Sequence, residues 1–355
     1  MQKTKCELLI ERVSYGGAGI GRLDGKVVFV PFTIPGERVL VEIVRQKKNF
    51  AEAKLLEVLE AASGRQSPQC PVFGACGGCA YQHVDYATQL EWKSSQVRDL
   101  LERVGRIAAP PVAPALASPK PWAFRNRIRV HSQDGRTGFY SKHGHEIIDV
   151  KSCAIASAEV NAELSKLRAT RPPAGETSLA VKRGVRFFEQ TNDGAAEVLV
   201  EVVEKWAGDG RGTLVDAYCG AGFFGHRLSS RFERVFGIES NEVAVEKARR
   251  KAFENEQYIC GDVAVHLGAI LEAAERPRTL VLLDPPAAGV DARVTDLLTA
   301  FPVQQVVYVS CDPATLARDL GNLTRGGYSL RCVTPVDMFP QTADIEVVAD
   351  LVYGG

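Results

Sequence analysis

Three groups of residues in this chain have types and spacings that can do chemistry. Cys311 follows the apolar run Val307–Ser310 and precedes Asp312 and Pro313, so a thiol stands where a strand ends and a helix can begin. Such a thiol is either a small buried hydrophobe, the usual fate of a free cysteine, or a nucleophile. Glu346 leads the apolar run Val347–Val352; there a carboxylate is either a solvated strand end or a positioned base. Cys70, Cys76 and Cys79 share the glycine-rich loop CPVFGACGGC. Thiolates so close together point to metal binding or catalysis in a reducing compartment.

A fourth group is a glycine turn. Leu214–Gly225 reads as a buried strand, a turn and a helix start, and Gly220, Gly222 and Gly225 formally match G-x-G-x-x-G. A dinucleotide site is therefore one reading. Three carboxylates favour S-adenosylmethionine instead. Asp216 precedes the glycines, where it attracts a cationic amino-acid ligand and opposes a pyrophosphate. Glu239 ends the next strand, where it can accept from both ribose hydroxyls. Asp284, followed by Pro285 and Pro286, ends a later strand at the carboxyl edge, where open α/β sheets bind ligands.

These groups need elements to hold them. Cys6–Val13, Lys26–Pro31 and Arg38–Val44 read as short strands punctuated by Gly16, Gly17, Gly19, Gly21 and Gly25, which suggests a small barrel. Arg45, Lys47, Lys48 and Lys54 follow. Tyr86–Val104 has helical periodicity. Phe124–His131 reads as a strand with Arg125, Arg127 and Arg129 on one side. From about residue 194 strands and helices alternate. Leu214–Tyr218, Arg234–Glu239, Thr279–Asp284 and Gln304–Ser310 are expected as buried parallel strands.

The 355-residue chain carries 43 Lys+Arg and 43 Asp+Glu, a net charge of +0. That balance hides an asymmetry. Residues 1–194 hold 28 basic and 20 acidic side chains, while residues 195–355 hold 15 and 23. A basic half is the electrostatic footprint of a nucleic-acid partner. Met1–Arg12 has no apolar h-region, so no signal peptide is expected, and no stretch approaches the roughly 18 apolar residues of a spanning helix. A cytoplasmic monomer without membrane contact is expected.

Taken together, these motifs make the chain resemble the RNA 5-methyluridine (uracil-C5) methyltransferases, the family of the bacterial 23S rRNA and tRNA uracil-5 enzymes. The resemblance covers nearly the whole length. Residues 5–60 look like the TRAM domain, an OB-like RNA-binding barrel. CPVFGACGGCAYQHVDYATQLEWK at 70–93 is similar to the segment holding three iron–sulfur ligands, and Cys153 to the fourth. SCDPATLARDL at 310–320 and QTADIEVV at 341–348 resemble the nucleophile and base motifs. The resemblance implies a multidomain protein: an OB-like β-barrel at 1–62, a central α+β domain with the Fe–S loop at 63–190, and a Rossmann-like class I methyltransferase domain at 191–355.

It also implies the site. Cys311 is the nucleophile that attacks C6 of uracil, and Glu346 is the base that removes the C5 proton. Gln190, Tyr218, Gly220, Gly222, Glu239, Asp262 and Asp284 correspond to S-adenosylmethionine positions, with Asp262 either an adenine contact or a solvated loop residue. The nucleophile must be partly thiolate near neutral pH, so a lowered pKa is expected for Cys311. Cys70, Cys76, Cys79 and Cys153 fit a [4Fe–4S] cluster better than zinc, which usually takes two close ligand pairs. Cys6, Cys260 and Cys332 are expected as packing residues. RNA is the partner, 23S rRNA ahead of tRNA.

Three positions depart from the family pattern. Phe223 replaces an Asn after the second glycine, Ala287 replaces the Arg of DPPR, and Asp344 replaces a His two residues before the base. They motivate an alternative, a non-catalytic Fe–S RNA-binding protein on a decayed scaffold. Retention of both Cys311 and Glu346 argues against it. A nicotinamide oxidoreductase is weaker still, since hydride transfer needs no such pair.

Overall fold

The computed structural model describes residues 4–142, 144–181, 190–210 and 212–354. Five strands, β1 (Lys5–Val13), β2 (Ala18–Leu23), β3 (Lys26–Pro31), β4 (Arg38–Gln46) and β5 (Phe50–Glu60), close into a barrel of order β1-β2-β3-β5-β4. Alternation directs Leu8, Ile10, Val28, Val30, Val39, Val41, Ala51 and Ala53 into its core. Two strands are additions to the sequence reading. β2 carries glycines that read as turn residues, but Gly19 is there for close approach: a Cβ would lie 2.0 Å from Thr33 Oγ1. β5 follows Arg45, Lys47 and Lys48 and itself carries Lys54.

Four more strands, β6 (Arg127–Gln133), β7 (Arg136–Tyr140), β8 (Ile147–Asp149) and β9 (Gly175–Ala180), form an antiparallel sheet of order β8-β7-β6-β9. Two helices belong to this stretch of chain, α1 (Tyr86–Arg103) and α2 (Ala158–Ala169). Asp85 caps α1 by accepting from Thr88 N at 2.9 Å. The expected arginine stripe is only partly realised. β6 begins at Arg127, and Arg125 precedes it with its guanidinium over the Phe124 and Phe339 rings. Arg129 pairs with Glu176 at 3.2 Å.

The remaining strands are β10 (Thr213–Ala217), β11 (Arg234–Glu239), β12 (Glu256–Cys260), β13 (Thr279–Leu283), β14 (Gln305–Ser310), β15 (Tyr328–Val336) and β16 (Glu346–Tyr353). They make a seven-stranded sheet of order β12-β11-β10-β13-β14-β16-β15. The first five run parallel, while β16 is antiparallel to both β14 and β15. The sheet is accompanied by α3 (Asp193–Ala207), α4 (Phe223–Leu228), α5 (Glu242–Arg249), α6 (Val263–Ala273), α7 (Ala292–Ala300) and α8 (Pro313–Arg325). Central strands such as β10 and β13 are buried along their whole length, as helices on both faces of a parallel sheet require. α1 also packs here: Val97 and Leu101 share a core with β10, β14 and α8. Among the described residues no helix is long and apolar enough to cross a membrane.

Candidate active site and cysteine cavity

Strand register assembles the site. In the antiparallel β14–β16 ladder Ser310 stands opposite Val347. Cys311 comes one residue after Ser310 and Glu346 one residue before Val347, so residues 35 positions apart meet at one sheet end. The parallel β13–β14 pair sets Leu283 beside Tyr308, and β10–β13 sets Ala217 beside Leu283. Asp284 and Tyr218 therefore emerge at the same carboxyl edge, and Glu239 ends the neighbouring β11.

The glycine turn follows β10. Tyr218 has φ +65° and Gly220 φ +53°. Tyr218 N donates to Ile238 O at 2.9 Å, and burial pushes its phenol up to about 12. Gly220 N donates to Glu239 Oε2 at 3.1 Å. Glu239 Oε1 accepts from Asn241 N at 2.7 Å, and a carboxylate has further lone pairs for ribose hydroxyls. Gly222 has φ +81°, and a Cβ there would lie 2.7 Å from the Tyr258 hydroxyl. Beneath the turn Asp216 is fully buried and accepts from Gly225 N at 2.8 Å. Burial pushes its carboxyl up to about 8, against the pull of that hydrogen bond and with the help of Asp284, Glu256 and Glu239.

The groups gathered at this edge carry shifted protons. Glu346 is 4% exposed, so it is not a solvated strand end; burial and then Asp284 raise its pKa to about 8. Burial raises Asp284 to about 7. Cys311 is exposed and stands just before α8, whose cap Asp312 accepts from Ala314 N and Thr315 N at 2.9 Å. Its thiol is not lowered as expected. It is pushed up to about 11 by partial desolvation, Glu346 and Asp284. The physical reason is the convergence itself: the site gathers carboxylates, and each opposes a thiolate. That field suits a cation.

Two other expected positions lie further out. Gln190 sits on the connection into α3, where its carbonyl accepts from Asn126 Nδ2 at 2.8 Å. Asp262 is exposed at the end of β12, caps α6 by accepting from Ala264 N at 2.8 Å, and pairs with Arg293 at 3.4 Å. Of the three departures, Phe223 packs edge-on against Phe224, Ala287 O accepts from Thr315 Oγ1 at 3.0 Å, and Asp344 is exposed. The sequence reading missed Tyr15, which the barrel sends to this edge. Its phenol is raised by burial and by Asp312, Asp344 and Cys311. An aromatic beside Gly16 and Gly17 was the only signal available.

Cys70, Cys76, Cys79 and Cys153 line one cavity of about 220 Å³, together with Arg125 and Arg129. None is in a disulfide. Burial raises Cys76 and Cys153, and raises Cys79 to about 12. Among the described residues no set of three or more such side chains stands where a single metal ion would be held. Four free thiols around a shared cavity have the donor chemistry of a multi-atom cluster. Of the cysteines expected to pack, Cys6 and Cys332 are half-buried, but Cys260 is exposed.

Comparison with known proteins bears on this arrangement. Residues 1–56 match the TRAM domain family, and residues 274–351 match the family described as tRNA (Uracil-5-)-methyltransferase. A Bdellovibrio bacteriovorus protein named as an uncharacterized RNA methyltransferase is 35% identical, over 98% of this chain and 95% of its own length. A Halalkalibacterium halodurans protein of the same description is 30% identical, over 97% and 96%. Among solved structures, the Pyrococcus abyssi tRNA (uracil-54, C5)-methyltransferase in complex with S-adenosyl-L-homocysteine is similar at a TM-score of 0.74 and 25% identity. That likeness covers 98% of this chain and 100% of the other.

Proposed function

The chain belongs to the RNA (uracil-5-)-methyltransferases, and from that membership we propose that it methylates C5 of a uridine in RNA through a covalent Cys311 adduct. The observation that carries this reading is the β14–β16 register, which brings Cys311 and Glu346 to one end of the sheet beside Asp284.

C5 of uracil is a weak nucleophile. Cys311 gives its thiol proton to solvent and adds to C6 as the thiolate, and the π electrons move toward C5, which becomes enolate-like. S-adenosylmethionine, when bound, supplies the electrophilic methyl group that C5 takes up. Glu346 then accepts the C5 proton. The C5–H electron pair restores the C5–C6 double bond, and the C6–S pair returns to Cys311. Gly220, Gly222 and Tyr218 would shape the cofactor turn, Glu239 would take the ribose, and Asp284 the cationic end. Asp262 and Gln190 are assigned to its outer contacts.

Cys70, Cys76, Cys79 and Cys153 would hold a [4Fe–4S] cluster, with a structural or RNA-contacting role, since methyl transfer needs no electron. RNA would lie along the basic half, residues 1–194, with only the target base entering the carboxylate-rich half. The target must leave its stack to reach Cys311. We rank 23S rRNA first. tRNA uridine 54 is the second reading, favoured by the full-length likeness to the Pyrococcus tRNA enzyme.

Mass-spectrometric mapping of 5-methyluridine in rRNA and tRNA, from cells with and without the protein, tests the target. Cys311→Ala is expected to abolish methylation while cofactor binding persists, and Glu346→Gln to trap a methylated covalent adduct. Undiminished turnover by either variant refutes the mechanism.

A further inference from the structure

The segment 337–345 joins β15 to β16 and delivers Glu346 to the site. Its conformation is set from elsewhere in the chain. Lys93, on α1, is 0% exposed. Its Nζ donates to Asp337 Oδ1 at 2.5 Å, Phe339 O at 3.1 Å and Asp344 O at 2.8 Å. An ammonium has three N–H groups, so every donor is spent on this one segment. One turn earlier on the same helix, Gln89 Nε2 donates to Gln341 Oε1, and Gln89 Oε1 accepts from Gln341 N, both at 3.1 Å. Ala80 N and Tyr81 N, which follow Cys79, both donate to Gln341 O at 2.9 and 3.0 Å.

Gln341 has φ +68°. A residue other than glycine holds that conformation only where its surroundings over-determine it. A buried ion pair is weak evidence for stability, because apolar residues of similar volume often do as well. What it adds is a fixed geometry. Lys93 bonds the carbonyl of Asp344, and Glu346 is two residues on, within about 7 Å of chain. No interaction with the uracil or the cofactor is needed for Lys93 to decide where the carboxylate points.

We propose that Lys93 is a positioning residue for the Glu346 base. Through Asp337, Phe339 and Asp344 it sets the segment that carries Glu346 to the uracil. Loss of Lys93 therefore slows removal of the C5 proton more than the methyl transfer before it. The inference rests on the covalent uracil-5 reading above, and it assigns to that reading a residue outside the reacting edge. In the step it governs, the proton passes from C5 to the Glu346 carboxylate, the C5–H pair forms the C5–C6 double bond, and the C6–S pair leaves with Cys311.

The test uses the full chain under single-turnover conditions, with transcribed 23S rRNA and tRNA labelled with [5-³H]uridine and with ¹⁴C-methyl S-adenosylmethionine. Lys93→Met keeps most of the side chain's length. Lys93→Met with Asp337→Asn also removes the charge left behind, which guards against misfolding. In both variants ¹⁴C transfer to RNA is expected to stay within about threefold of wild type, while tritium release falls about 10- to 100-fold, the scale of an ångström-sized misplacement. A ¹⁴C-bearing protein–RNA adduct should accumulate on denaturing gels. Tritium release at the wild-type rate overturns the proposal. So does an equal fall in both rates, or loss of cofactor binding in both variants, since either marks a role in the fold as a whole. If the wild-type protein itself transfers no methyl and releases no tritium, the proposed activity fails and this inference falls with it. An active wild type with unaffected variants refutes the inference alone.

Discussion

Adding S-adenosylmethionine to this protein at pH 7 should release protons. Glu346 and Asp284 hold theirs up to about 8 and about 7. At pH 7 Glu346 alone would be about nine-tenths protonated and Asp284 about half. The two titrate as a pair, and Asp216 lies beneath them with its carboxyl raised to about 8, so the expected release is between about one and two protons. Ionising Glu346 at pH 7 costs about 1.4 kcal/mol, one pKa unit. A cation about 5 Å away at an effective dielectric of 20 returns about 3 kcal/mol, enough to tip it. On the proposed assignment, a bound sulfonium should therefore favour the ionised form of Glu346. Affinity should rise as pH climbs from 6 to 8 and level off above it, because bound protons compete with the cofactor below the raised pKa values. Titration calorimetry in buffers of different ionisation enthalpy counts the protons from the slope. S-adenosylhomocysteine, lacking the sulfonium charge, should release fewer, and Glu346→Gln should lower the count by about one. A flat buffer dependence, or equal release with both ligands, would refute the reasoning.

Two further outcomes follow from the geometry. Gly222→Ala combines φ +81° with a Cβ 2.7 Å from the Tyr258 hydroxyl, whereas at Gly220 the φ is +53° and the space is open. Gly220→Ala should cost about 1 kcal/mol and Gly222→Ala about 2–3 kcal/mol, read from denaturant midpoints and cofactor Kd; equal effects would contradict the crowding. Protein purified without oxygen should carry iron and sulfide in nearly equal amounts, lost in Cys153→Ser together with thermal stability; zinc in wild-type protein would contradict the cluster assignment.

Much of the carboxyl edge was legible from the sequence. Leu214–Gly225 shows its strand and turn because a buried parallel strand is a continuous apolar run and the turn needs glycine at φ values other residues avoid. Asp216, Glu239 and Asp284 stand out as carboxylates at the ends of such runs. Other parts were hidden. β2 resembles a turn because its glycines serve close packing. Cys260 resembles a core residue because composition carries no exposure. Lys93 sits in a helical pattern where a lysine ordinarily marks the solvated face.

The sequence by itself determined which groups were available: a thiol, a carboxylate, a glycine turn and three cysteines on one loop, each set by local spacing. Only the tertiary structure decided their relations. Antiparallel pairing of β14 and β16 turns a separation of 35 residues into adjacency, and α1 reaches about 250 residues along the chain to hold the segment before Glu346. The same convergence reversed the expected direction for Cys311, whose thiol goes up to about 11 rather than down. Charge at a site is a sum over neighbours in space, and those neighbours do not exist until the sheet brings them together.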